Sequence, residues 1–465
     1  MGAQSSKMEK HTATGAQEGV VKFRALILGV GLIVFGIMSA LFLAGARNPN
    51  LNALYRQVIA LWGVDTFTPY LPFVDLHFIL ASLQCYRLDL DVFVANPCDA
   101  LGRVFNYSPL WMAAAPLGLT THDTAWLGTA LALAFLCTVA WISNARSVGQ
   151  AAIYIIALLS ETCAYAIERA NADLLMFLIV VVACAALQRG TVGRMFAYGG
   201  VLLASMLKFY PITAIGLASY EQKRTITIVA STMVAIWIIF LFAAWPQFVE
   251  MWPVVPRPDP FWPAFGGANV FHALQLRLMA TRFGDQAATI IATSAQVLYA
   301  LAILTSIALS IALSRKLRAI GISVGAMNRE LAAFLAAGLI IVFTFFAAGN
   351  TYYRGIFLLA LLPLSISSWR GAASGCAARR LWAMAIGLII VLLWIQALVY
   401  NVDKNLGFAR LARELILTVR EPLWWLFIVW LMAMLWILLS SAPSIVALLV
   451  PLSKWMGRAR QLRPS

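Results

Sequence analysis

Blocks of about 17 to 25 residues with almost no charge recur along this chain, and they constrain its fold more than any other feature. An α-helix needs about 20 apolar residues to cross a hydrocarbon core of about 30 Å. Lipid offers the backbone no hydrogen-bond partners, so each block must satisfy its own N–H and C=O groups as a helix. Composition agrees: 62% of the residues are apolar and 11% charged, against about 45–50% and about 25% in soluble domains. The fold expected is an all-α integral membrane protein. Spanning helices fall near 25–45, 124–142, 149–167, 173–188, 225–245, 286–313, 332–348, 355–368, 381–399 and 423–441. The first block follows a polar leader of about two dozen residues, is long enough to span and shows no cleavage pattern, so it reads as a helix and not a signal peptide.

One apolar block, 195–220, carries Lys208-Phe209-Tyr210-Pro211 at its centre. If it crossed once, the basic stretch at Lys223-Arg224 would change sides and every later loop would invert. If it enters and returns as a pair of short helices, the positive-inside rule holds throughout. Under that topology the cytoplasmic face takes 20 Lys/Arg and 4 Asp/Glu, a net +16. The remainder has 14 and 15, a net −1, which together give the formal +15 of the chain. The domains expected are a cytoplasmic polar leader 1–24, with 1–20 lacking fixed structure, a membrane domain 25–442 with an outer loop at 46–108, and a basic cytoplasmic tail 443–465. Within that tail, 445–457 is too short to span and fits the interface.

Positive charge scattered over short loops, such as Arg315-Lys316-Leu317-Arg318, fits topology determination and contact with anionic membrane lipids. Nucleic acid is not an expected partner. The six cysteines and four histidines show no metal-ligand spacing, and Gly-rich phosphate loops are absent, so neither metal nor cofactor is expected.

Fifteen of the 19 acids avoid the cytoplasmic side, which directs attention to the outer face. In the outer loop, Asp75 heads an apolar helical stretch reaching Arg87. A carboxylate pressed against the membrane surface loses water, which raises its pKa and suits a base; the alternative is that Asp75 caps its helix. Glu168-Arg169-Ala170-Asn171-Ala172-Asp173 sits between two apolar spans. It reads either as functional or as an Arg169–Asp173 or Glu168–Arg169 pair that locks two helices. Lys208 and Tyr210 stand at the apex of the returning segment, where a buried ammonium needs an anion and a lipid phosphate would serve. Arg354, in Asn350-Thr351-Tyr352-Tyr353-Arg354, suits phosphate oxygens or an aromatic belt. Cys85 and Cys98, 13 residues apart in the outer loop, are either bridged or two separate thiols.

The runs Arg169-Ala170-Asn171-Ala172-Asp173 and Lys208-Phe209-Tyr210-Pro211 resemble the R-x-N-A-D and K-x-Y-P signatures of the bacterial polyprenyl-phosphate-dependent mannosyltransferase-like family. This family lies within the GT-C glycosyltransferases and includes phosphatidylinositol-mannoside mannosyltransferases. The resemblance covers most of the chain in layout and is sharp at 168–174 and 207–211. It implies a GT-C-like bundle of about ten spanning helices plus a re-entrant pair, with both termini cytoplasmic. The implied activity is transfer of a hexose, mannose by family default, from a polyprenyl-phosphate sugar to a lipid or glycan acceptor. The site would face the periplasm or exterior of a bacterial inner membrane. Asp75 would be the base, Lys208, Tyr210 and Arg354 the donor-phosphate pocket, and Arg169, Asn171 and Asp173 the groups that shape the site. Asn269 and His272 fall where the family has an outer-loop stretch, although Phe271 and His272 depart from its pattern; they would touch substrate. Two other classes fit the composition. One is a secondary transporter or lipid-linked sugar flippase, which usually shows paired repeats; the other is a periplasmic polysaccharide polymerase or ligase, typically with a large late outer loop.

Overall fold

The computed structural model describes residues 2–45, 47–64, 71–255, 259–261, 264–279, 284–322, 326–347 and 349–446. Helix α1 (Gly2–Gly45) is continuous. The polar leader therefore extends the first span instead of lacking structure; no proline precedes Pro49 to stop it. Asn48 caps α2 (Pro49–Leu61), which lies back along α1 with Phe42 and Tyr55 in edge contact at 5.6 Å. Helix α3 (Val74–Tyr86) and the loop that follows it build a small core of their own around Phe78, Phe93 and Phe105.

The main bundle begins with α4 (Thr124–Ile142), α5 (Val148–Leu158) and α6 (Glu161–Glu168). The single span expected at 149–167 is two helices bent by 49°. Ser160 interrupts it: its hydroxyl accepts from Cys163 N and starts a new helix. Helix α7 (Ala172–Ala186) is a 15-residue apolar helix, shorter than a full crossing. Helix α8 (Gly190–Lys208) ends at Phe209, whose φ of +56° turns the chain into a 3-10 helix over Tyr210–Tyr220.

The chain folds back on itself here. Arg194, near the start of α8, lies 3.4 Å from Glu221 at the far end of the 3-10 helix, and Tyr198 donates to the same carboxylate at 3.2 Å. The two limbs thus begin and end together.

Helices α9 (Lys223–Ala243), with Met233 its buried residue, and α10 (Trp245–Met251) follow. Strand β1 (Ala264–Phe265) precedes α11 (Asn269–Met279), the long α12 (Gly284–Ala319) and α13 (Arg329–Ala347). Strand β2 (Asn350–Thr351) pairs antiparallel with β1, Ala264 opposite Thr351. The span expected at 355–368 is a 3-10 helix, Tyr352–Leu361, followed by α14 (Leu362–Gly371). Pro363 lacks the N–H that a continuous α-helix would use there. Helices α15 (Ala377–Tyr400), α16 (Ala409–Leu415) and α17 (Glu421–Ser440) complete the described chain. The tail from 447 onward, with most of 445–457, lies outside the described residues.

Among the described residues seven helices are long and apolar enough to cross a membrane, or eight if the bent α5–α6 pair counts as one span, fewer than the ten expected. The molecule is an all-α membrane protein. Its centre is the face shared by α13, the 3-10 helix Tyr352–Leu361 and α17, where Phe334, Phe345, Phe357, Trp424 and Phe427 are fully buried.

Contacts between chain turns define two ends of the bundle. At one, Arg24 donates to Ser143 O at 3.0 Å, Asn144 to Glu330 at 2.8 Å, Arg370 to Asn144 O at 3.2 Å, and Arg318 meets Ser440. At the other, the start of α3 meets the end of α6, and Lys208 at the end of α8 meets Asp173 at the start of α7.

Candidate active site

The start of α3 is docked on the end of α6 by backbone bonds, Phe73 N to Glu168 O at 2.8 Å and Asp75 N to Arg169 O at 3.1 Å. That placement puts Asp75 against Arg169. The guanidinium donates twice to the carboxylate, Nε to Oδ2 at 2.9 Å and Nη2 to Oδ1 at 2.6 Å. Asn171 Nδ2 adds a third bond at 2.5 Å, and Arg103 Nη1 stands 3.7 Å away. The helix-capping role is not seen: the N-cap is Phe73, with no side-chain cap bond. The expected rise in the Asp75 pKa is reversed. Burial pushes the carboxyl up, but Arg169, Asn171 and Arg103 together hold it below the usual carboxylate value.

Asn171 joins this half of the site to a second carboxylate. Its Oδ1 caps α7 by accepting from Asp173 N at 2.9 Å and also accepts from Lys208 Nζ at 3.0 Å. Lys208 in turn pairs with Asp173 at 2.7 Å, Tyr210 OH donates to Asp173 at 2.6 Å, and Arg354 Nε lies 3.6 Å from its other oxygen. The anion that Lys208 needs is thus an acid of the chain itself. Of the helix-locking pairs considered from spacing, Arg169–Asp173 gives way to Arg169–Asp75 and Lys208–Asp173. Neighbours in sequence leave opposite faces of a tight turn, so each finds a partner on another element.

Asp75, Arg169, Asn171, Asp173, Lys208, Tyr210 and Arg354 therefore form one network. Rings surround its cations: Lys208 lies 5.2 Å from the Tyr107 ring and 5.6 Å from that of Tyr353, and Arg354 4.6 Å from that of Tyr210. Asp173 Oδ2 and Arg354 Nε, both buried, have no hydrogen-bond partner. Asn269 is buried at the start of α11 and His272 is exposed beyond it. Among the described residues neither bonds to this network.

Spacing did not single out Arg103, which grips Asp99 with two bonds of 2.9 Å and reaches Val74 O at 3.0 Å. The i,i+4 interval from Asp99 was the available signal. Asp99 too is pushed up by burial and held below its usual value by Arg103. With it, three carboxylates face four cations, Arg103, Arg169, Lys208 and Arg354, for a net +1. The loop bearing Asp99 is tied to α3 by the Cys85–Cys98 disulfide, whose Cα atoms are 5.8 Å apart.

Backbone strain gathers here as well. Among the described residues four non-glycine positions have positive φ, and three of them, Phe73 (57°), Ala170 (43°) and Phe209 (56°), lie within two residues of a network side chain. Such conformations cost about 1–3 kcal/mol each and persist where surrounding structure over-determines them. Among the described residues no three His, Cys, Asp or Glu side chains gather as a metal site requires. Comparison with known protein families, curated proteins and solved structures gave no match to this chain.

Proposed function

We propose that this chain is a membrane glycosyltransferase that moves a hexose from a polyprenyl phosphate to an acceptor hydroxyl, using Asp75 and the cations around Asp173. The supporting observation is the network itself: three buried carboxylates in one aromatic-lined cluster with four cations, at the end of the bundle opposite Arg24 and Arg318. The acceptor oxygen attacks the anomeric carbon, the bond from that carbon to the phosphate oxygen breaks, and the electron pair leaves with the phosphate. Lys208 and Arg354 stabilise the charge that develops there. The acceptor proton passes to Asp75.

A carboxylate held below its usual pKa is a weak base, and this chemistry tolerates one. The attacking hydroxyl becomes strongly acidic as it bonds to an oxocarbenium-like carbon, so the proton moves late. The substrate phosphate, by competing for Arg169 and Arg103, also frees Asp75 as it binds. Purified protein with a radiolabelled polyprenyl-phosphate hexose and a membrane lipid extract tests the reading. Transfer abolished by Asp75→Asn is expected, and absence of transfer by the folded wild type would overturn it.

A secondary transporter is the second reading, favoured by one observation. Glu161, at the α5–α6 break, is buried with neither carboxylate oxygen hydrogen-bonded, and broken helices bearing buried charge are a transporter feature. Substrate flux in proteoliposomes without glycosyl transfer would favour it.

A further inference from the structure

Beside the ionic network, α1, α4 and the α5–α6 bend enclose a cavity of about 550 Å3. Phe35, Phe42, Trp62, Leu136 and Leu158 contribute apolar walls. Polar groups are few: His77, His122, Glu168 and the hydroxyls of Ser39, Tyr55, Thr121, Thr124 and Thr129. Among the described lining residues there is no Lys or Arg.

Cavity and network share a wall. Phe73 lines the cavity, and Asp75, two residues on, holds Arg169; Glu168 lines the cavity, and Arg169 is its neighbour. The Phe73–Glu168 and Asp75–Arg169 backbone bonds join the wall's two strands of chain. Phe73 occupies it at a φ of 57°, its ring pressed so closely on α4 that a Cβ at Gly128 would lie 2.3 Å from it.

Charge decides what such a chamber holds. A lipid phosphate finds its cations across the wall, at Lys208 and Arg354, and meets a carboxylate at Glu168 in the cavity. An uncharged head bearing hydroxyls finds histidine, threonine and carboxylate partners there. The apolar volume lies within the range of ligand sites. Building on the glycosyl-transfer reading, we propose that this cavity seats the hydrocarbon chain of the acceptor, a lipid with an uncharged, hydroxyl-bearing head, and leads that head past His77 and Glu168 to Asp75.

The test is binding, read apart from turnover. The full chain in detergent is titrated by native mass spectrometry with two probes, dioleoylglycerol glucoside and farnesyl phosphate. Ala164→Phe and Ser39→Phe, which add a ring to the cavity lining, should weaken the glucoside by about tenfold and leave farnesyl phosphate unchanged. Lys208→Met should do the reverse. Unchanged glucoside binding in a folded cavity variant, or loss of farnesyl phosphate in its place, overturns the proposal. Should both variants fail to fold, the wild type is photolabelled with a glucoside carrying a diazirine in its acyl chain. Label on α1 and α4 supports the site, and label confined to other helices refutes it. The binding pattern without any hexosyl transfer sinks the enzymatic reading and leaves the lipid site. Transfer without the pattern does the opposite.

Discussion

Arg169 grips Asp75 through two hydrogen bonds, of 2.9 and 2.6 Å, across 94 residues of sequence. The pair makes the start of α3 and the α6–α7 turn one structural unit, so a change at either residue is expected to affect stability as well as any chemistry at Asp75.

Asp75→Asn is expected to lower transfer by about two to four orders of magnitude, the reach of general-base catalysis. It also leaves the Arg169 charge buried without its partner, a loss of about 3–5 kcal/mol where such pairs are broken. Adding Arg169→Gln should recover part of the thermal midpoint and none of the transfer. Initial rates and melting curves for the single and double variants separate the two roles; near wild-type turnover in the single variant would exclude Asp75 as the base.

Acid should destabilise the fold through these same carboxylates. Asp75 and Asp99 are raised by burial and lowered further by their arginine partners, for a net value below 3.8. A depressed folded pKa stabilises the protein at every pH above the unfolded value, and that contribution is lost as pH falls through the folded one. Thermal midpoints should therefore hold level from about pH 7 to about pH 5 and fall below about pH 4. Asp75→Asn should flatten the acid limb, and an unchanged limb would show that the pair contributes nothing.

Lys208→Met removes a partner of Asp173 and leaves it Tyr210 and Arg354. Donor binding is expected to weaken about tenfold or more, with the Michaelis constant for the polyprenyl-phosphate sugar rising before the maximal rate falls. A fall in maximal rate alone would move Lys208 from donor binding to the chemical step.

The Cys85–Cys98 bridge ties the Asp99–Arg103 pair to α3. Cys85→Ser with Cys98→Ser should cost about 2–4 kcal/mol of stability. Intact mass after alkylation, with and without prior reduction, should differ by two alkyl groups. Equal labelling under both conditions would contradict the bridge.

A cysteine at Lys223 should react from the same side of the membrane as one at Thr191, because Glu221 meets Arg194 and Tyr198. A cysteine at His122 should react from the other side. Labelling of positions 191 and 223 from opposite sides would dismiss the returning segment.

The sequence by itself determined the class of this protein, an all-α membrane protein. Uncharged blocks leave helices as the only tolerable backbone in lipid, and the basic residues around Arg194 and Lys223 already pointed to a fold-back at Lys208-Phe209-Tyr210-Pro211. It also marked nearly every residue of the site, because a charge within an apolar stretch has to have a reason. Tertiary structure alone decided who pairs with whom. Arg169 has Asp173 four residues away and takes Asp75 from another helix; Lys208 takes Asp173; Arg103 enters from a loop. Spacing along a helix lists candidate partners only on that helix, whereas a buried charge is neutralised by whatever opposite charge packing brings within reach. For the same reason the Asp75 pKa was expected to move the wrong way: burial was legible from the apolar flanks of Asp75, and the Arg169, Asn171 and Arg103 groups that together outweigh it were not.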